Sequence, residues 1–163
     1  MSLPSFDPLK VLEAAKAVEV KGQAFYEAAA KAVSDEKVKS MFLHLAEAEI
    51  KHFKVLEATR RHFAEGFPTF FPWVQEETLT TRFAALWFPA APSSIRSDTS
   101  RLTEVQVVER GMQLERESIE LYEGAADREP NVAASNVYRW LVMEEKMHMF
   151  ILTQRHDLLR LRG

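Results

Sequence analysis

The sequence predicts an all-α protein, a four-helix bundle built from two repeated helix hairpins joined by a long crossover linker. Three observations predict it. The 163 residues hold only five glycines and are rich in Ala, Leu, Glu and Lys, the residues that cost least in a helix. Apolar residues recur at helical spacing through four segments. The two halves of the chain also repeat at a constant offset of 96 positions without a gap. Glu19 maps to Glu115, Tyr26 to Tyr122, Ala29-Ala30 to Ala125-Ala126, and Leu45 to Leu141. Further on, Glu49 maps to Glu145, His52 to His148 and Leu56 to Leu152. Such self-similarity marks one supersecondary unit used twice.

Each element has its own start signal. Asp7-Pro8 reads as an N-cap followed by proline at the first helical position. The first helix runs from there to about Val33, with Val11, Leu12, Ala15, Glu19, Gly22, Tyr26 and Ala30 on its inner face. Ser34-Asp35-Glu36 supplies the next cap and first-turn acids, and the second helix extends to about Glu65. So short a connection makes the pair antiparallel neighbours. Thr103-Glu104-Val105-Gln106 has capping-box spacing and opens a third helix to about Arg128, with Val108, Glu115, Ile119, Tyr122 and Ala126 inward. Pro130 marks the next turn and is read as the first helical position of a fourth helix reaching about Leu161.

The helix pairs thus span residues 8–65 and 102–161, and the whole chain, 1–163, is read as one domain. Between them, residues 66–101 change texture. Pro68, Pro72, Pro89 and Pro92 interrupt a stretch crowded with Phe67, Phe70, Phe71, Trp73, Phe83, Trp87 and Phe88. A short helix from Trp73 to about Trp87 is expected. The segment is a connection, since neither hairpin could bury its inner face alone. Its aromatic residues either cap apolar surface of their own bundle or make a homodimer interface, and the dimer is the favoured expectation.

The chemistry lies in two matching stretches. Glu49 and His52 stand three residues apart in a stripe with Leu45, Phe53 and Leu56; Glu145 and His148 stand likewise with Leu141, Met149 and Leu152. Three residues turn a helix by about 300°, so each Glu and His share a face. A carboxylate and an imidazole on a core face need a partner, and a metal ion is the obvious one. Packing the hairpins with related faces inward brings Glu19, Glu49, His52, Glu115, Glu145 and His148 to one level. Four carboxylates balance two divalent cations with the histidines neutral. Without metal, several like charges would share a low-dielectric core. Oxygen and imidazole donors without thiolate suit iron or manganese better than structural zinc. Glu47 and Glu144 are read as solvated-face residues. Glu13, Glu27, Glu109 and Glu123 are read as surface ion-pair formers, and His44, His62 and His156 as non-ligands.

This pattern of one Glu on the first and third helices and Glu-x-x-His on the second and fourth resembles the rubrerythrin-like members of the ferritin-like superfamily, over both helix pairs. The resemblance implies a di-iron carboxylate centre, with manganese as the alternative metal. Glu49 and Glu145 would bridge the metals, Glu19 and Glu115 would be terminal ligands, and His52 and His148 would each give one nitrogen. Tyr26 and Tyr122 resemble the family's tyrosines whose hydroxyls orient ligand carboxylates, an indirect part in catalysis. Rubrerythrin also has a four-cysteine electron-delivery tail and an additional carboxylate on the third helix. This sequence has no cysteine, and Met112 and Ser118, one turn either side of Glu115, are not acidic.

The functional expectation is an oxidoreductase acting on peroxide or dioxygen, with electrons from a separate donor protein. The rivals are an iron-handling ferroxidase or storage protein taking ferrous iron, a manganese catalase-like enzyme, and a non-catalytic structural bundle. The absence of cysteine excludes disulfides, thiolate metal sites, a cysteine nucleophile and an iron–sulfur centre within this sequence. A net charge of −3 gives no case for nucleic-acid binding. The N-terminal residues lack the plan of a signal peptide. The uncharged run from Phe83 to Ile95 holds Pro89 and Pro92 and is too short for a membrane span. A cytoplasmic protein is expected.

Overall fold

The computed structural model describes residues 7–65 and 102–161, and these form four helices and no strand. They are α1 (Pro8–Ala32), α2 (Glu36–Glu65), α3 (Glu104–Arg128) and α4 (Val132–Arg160). The linker, its expected short helix at Trp73 to Trp87 and the interface assigned to its aromatics lie outside the described residues. Among the described residues, no helix is long and apolar enough to cross a membrane.

Local chemistry sets each start. The Asp7 carboxylate accepts hydrogen bonds from the Leu9 and Lys10 amides, with Pro8 at the first helical position. Asp35 does the same for Lys37 and Val38 at 2.8 and 3.3 Å. Thr103 and Gln106 close a full capping box, each side chain accepting from the other's backbone amide. Each cap satisfies amides that the helix leaves unpaired.

The fourth start differs from the expectation. Asn131, not Pro130, borders the helix: its side chain accepts from the Ala134 amide at 3.1 Å, and the helix begins at Val132. Pro130 stays in the turn because the asparagine amide oxygen is the cap that pairs an orphan N–H, and proline has no such group. Glu129 accepts the Asn131 N–H at 2.9 Å, and Ser135 Oγ donates to the Ala126 carbonyl at 2.8 Å, tying the α3–α4 corner together.

The tightest packing is within the hairpins, α1 on α2 and α3 on α4; the hairpins then meet α1 against α3 and α2 against α4. Two apolar clusters result. One holds Tyr26, Ala29, Phe42, Leu45, Val108 and Leu152; the other holds Leu12, Leu56, Tyr122, Ala125, Tyr138 and Leu141. The second cluster is the first one shifted by the repeat offset, with Phe42 replaced by Tyr138 and Leu12 matching Val108. The internal repeat is therefore a structural two-fold. The polar level falls between its two apolar plugs, because Glu19 and Glu115 lie between the residues each helix gives to one plug and to the other.

Candidate metal centre

All six residues expected at the polar level meet there, and all six are buried. Glu19, Glu49, His52 and Glu145 form one set whose donor atoms lie within 4.8 Å of one another. Glu49, Glu115, Glu145 and His148 form a second. Glu49 and Glu145 belong to both. Donors bonded to one ion at about 2.1 Å span up to about 4.2 Å, so each set needs little adjustment to close on a cation.

The imidazoles are aimed inward by the same nitrogen. His52 Nδ1 lies 3.2 Å from Glu19, 3.3 Å from Glu49 and 3.2 Å from Glu145. His148 Nδ1 lies 3.0 Å from Glu145, 3.4 Å from Glu115 and 3.7 Å from Glu49. The rings stack on each other at 5.3 Å. Yet both Glu145 oxygens and His148 Nδ1 are buried without a hydrogen-bond partner. These atoms are close enough to attract but are not aligned as donor and acceptor. Orphaned buried polar atoms cost about 1–3 kcal/mol each, and a cation between them removes that cost. The donor set and its orphaned atoms fit two metal ions.

Electrostatics point the same way. Burial pushes the Glu49 carboxyl up to about 10, with His52 opposing and Glu19 and Glu145 reinforcing the rise. Burial also lifts Glu115 to about 8, against the pull of His148. For Glu145 burial acts upward too, but the two imidazoles outweigh it and hold the group at about 2. Burial alone would lower both histidines. The carboxylates reverse this, raising His52 to about 12, chiefly through Glu145 and Glu19, and His148 to about 10 through Glu115 and Glu145. Without a cation, such a cluster can shed charge only by holding protons.

Tyr26 and Tyr122 close the level from the two plugs. Each donates across the hairpin boundary, Tyr26 to Glu115 and Tyr122 to Glu19, a reciprocal pair under the repeat. Burial, then the nearby carboxylates, keep both phenols far above their ordinary range, so they remain donors. Glu19 thus has Oε1 held by Tyr122 and Oε2 turned to His52, whereas Glu115 Oε1 faces both Tyr26 and His148.

Two residues had no assigned role in the sequence. Gly22 is one. A Cβ there would stand 3.0 Å from Glu49 Cδ and 3.1 Å from Oε1, so the bare glycine makes room for the shared carboxylate. Its inward register was legible, but the close approach was not. In the metal-free protein Gly22→Ala is expected to lose to crowding against the buried Glu49 the roughly 1 kcal/mol it gains in helix propensity, and so to melt no higher than the wild type. It should also weaken metal binding by about 10–100-fold, the range for disturbed ligand support. Melting and metal titration of the same sample check both. The other is Glu144. Expected on the solvated face, it lies half-buried with Oε2 3.8 Å from His52 Nε2; α4 turns it toward α2 rather than outward. Glu47 is exposed, as are His44 and His62. His156 pairs with Glu109 and Lys146 with Glu123, away from the cluster, and Glu13 pairs with Lys16 and Arg60. Glu27 departs from the ion-pair expectation: it accepts a hydrogen bond from Gln23 one turn away.

A narrow cleft of about 40 Å³ leads to the cluster between α1 and α3, lined by Val18, Lys21, Gly22, Glu49, Glu117 and Ser118 among others. One water needs about 10–15 Å³ of such space, so a small oxygen species fits. Apart from Glu49 of α2, the cleft is lined from α1 and α3, whereas the histidines come from α2 and α4.

Four helices in two repeated hairpins around a buried carboxylate–histidine level define a ferritin-like bundle. The sequence model of the rubrerythrin family matches residues 10–154, and the chain belongs to that family. Three solved structures share the fold. A protein from Thermotoga maritima, classed as ferritin-like diiron-carboxylate, is 20% identical, with 96% of this chain and 98% of that one covered and a TM-score of 0.68. A hypothetical protein from Pyrococcus furiosus is 20% identical over 94% of this chain and 90% of that one, with a TM-score of 0.67. A two-domain protein from Anabaena variabilis, with DJ-1/ThiJ/PfpI-like and ferritin-like domains, is 13% identical with a TM-score of 0.71; 96% of this chain covers 40% of it. No curated protein matches the sequence.

Proposed function

We propose that the chain is a di-metal carboxylate oxidoreductase, loaded with iron, that acts on peroxide or dioxygen with electrons from a separate donor protein. The observation that carries this reading is the pair of four-donor sets sharing Glu49 and Glu145. When bound, two such ions supply reversible one-electron chemistry at adjacent positions beside the cleft. In each set a histidine Nδ1 and three carboxylates would hold the ion. Glu49 and Glu145 would be common to both, with Glu19 and Glu115 as the end ligands.

The protein's own contribution is positioning, protonation and exclusion. Tyr26 and Tyr122 hold Glu115 and Glu19 in place and keep a proton on each phenol oxygen within the site. The two apolar plugs exclude bulk water along the bundle axis. The cleft admits only small molecules, past Lys21 and Glu117 and then Gly22 and Ser118. Fixed charged groups in such a dry site hold their arrangement through the reaction, which is where preorganised electrostatics are effective.

The test is stopped-flow mixing of the anaerobic ferrous protein with peroxide. Oxidation well above the rate for free ferrous iron is expected; a rate no faster would sink the proposal. Vigorous oxygen release after manganese loading would instead assign peroxide disproportionation.

A further inference from the structure

The two-fold that relates the hairpins is broken around His52, beside the centre. His52 turns Nδ1 to the carboxylates, and its other ring nitrogen, Nε2, is fully buried and has no hydrogen-bond partner. Glu144 Oε2 lies 3.8 Å from that nitrogen, on a side chain 41% exposed and so free to adjust. Trp140, one turn earlier on α4, meets the same imidazole edge-on at 5.5 Å and 88°. α4 thus presents a cradle to His52, an indole against the ring and a carboxylate at its outer nitrogen. The repeat offset gives the counterparts in the other half: His148 for His52, His44 for Trp140 and Ala48 for Glu144. Alanine has no acceptor to offer. His44 is exposed.

We propose that Glu144 is a positioning residue for His52, and that it makes the two metal positions unequal. A histidine ligand is held and made more basic when its second nitrogen donates to a carboxylate, and losing that partner typically costs 10–100-fold in metal affinity. Closing 3.8 Å to hydrogen-bond length takes a small rotation of a partly exposed glutamate, and it pairs a buried donor that is otherwise orphaned. The position built on Glu19, Glu49, His52 and Glu145 therefore fills first. The position built on Glu49, Glu115, Glu145 and His148 follows.

The inference rests on the di-metal reading, and its test separates the two. Cobalt(II) alone is titrated into the full chain, followed by visible absorption and calorimetry. The wild type is expected to fill in two steps of unequal affinity. Glu144→Ala should lower the stronger step by about 10–100-fold and leave the weaker one unchanged. Glu144→Gln, which keeps a side-chain oxygen acceptor, should recover most of the loss. Ala48→Glu should strengthen the weaker step. If the wild type binds two ions and Glu144→Ala leaves both steps unchanged, or weakens both alike, the inference is overturned and the di-metal reading stands. A wild type that binds no cobalt overturns both.

Discussion

Glu49→Gln and Glu145→Gln are each expected to abolish binding of both metal ions, whereas Glu19→Gln and Glu115→Gln should each cost mainly one. The reason is membership: Glu49 and Glu145 serve both donor sets, Glu19 and Glu115 one each. Elemental analysis per chain after loading and desalting reads this directly. Stability should follow occupancy. A site held at 100 times its dissociation constant adds about 2.7 kcal/mol. In a chain of this size that is roughly 5–10 °C in Tm per site. Metal-free, the order inverts. Burial pushes the Glu49 carboxyl up to about 10, so its charged form is disfavoured where it stands. A neutral glutamine of the same shape removes that conflict, and metal-free Glu49→Gln should melt no lower than the metal-free wild type. A variant that still carried two ions per chain would refute the sharing of Glu49.

The second large effect is the pH dependence of the metal-free protein. Glu49 and Glu115 are raised from 4.5 to about 10 and about 8. His52 and His148 are raised from 6.5 to about 12 and about 10. Between the ordinary and folded values the folded state binds more protons than the unfolded chain, so stability falls as pH rises. All four windows overlap between pH 6.5 and 8, and three continue to about 10. Glu145 has the opposite sign. Held at about 2 against 4.5, it contributes stability that is lost as pH falls through that window. Even one net retained proton gives a fall of about 1.4 kcal/mol per pH unit, roughly 3–6 °C in Tm. The chelator-treated protein should therefore melt progressively lower from pH 6.5 to 10. The metal-loaded protein should not, because cations have displaced those protons, and metal affinity should rise over the same range. Melting curves of both forms at matched ionic strength check this; a flat metal-free curve would contradict the electrostatics of the site.

Much of this protein could be read from residue order. Helical spacing put Glu19, Glu49, His52, Glu115, Glu145 and His148 on inner faces, and the repeat paired them, because a helix turns by a constant angle per residue. The caps at Asp7, Asp35 and Thr103 were legible because a cap is a contact between residues two or three apart. The start at Asn131 was misread because Pro130 and Asn131 compete locally, and only the Asn131 side-chain bond to Ala134 decides between them.

What the sequence alone determined is which side chains face inward and at what level, a property of one helix at a time. The tertiary structure decided what each of them meets. Tyr26 bonds Glu115 across the bundle, Gly22 yields its space to Glu49, and Glu144 turns toward His52. These contacts depend on how far one helix is shifted and rotated against another. That is settled by the packing of both apolar plugs together, and no local pattern of residues encodes it.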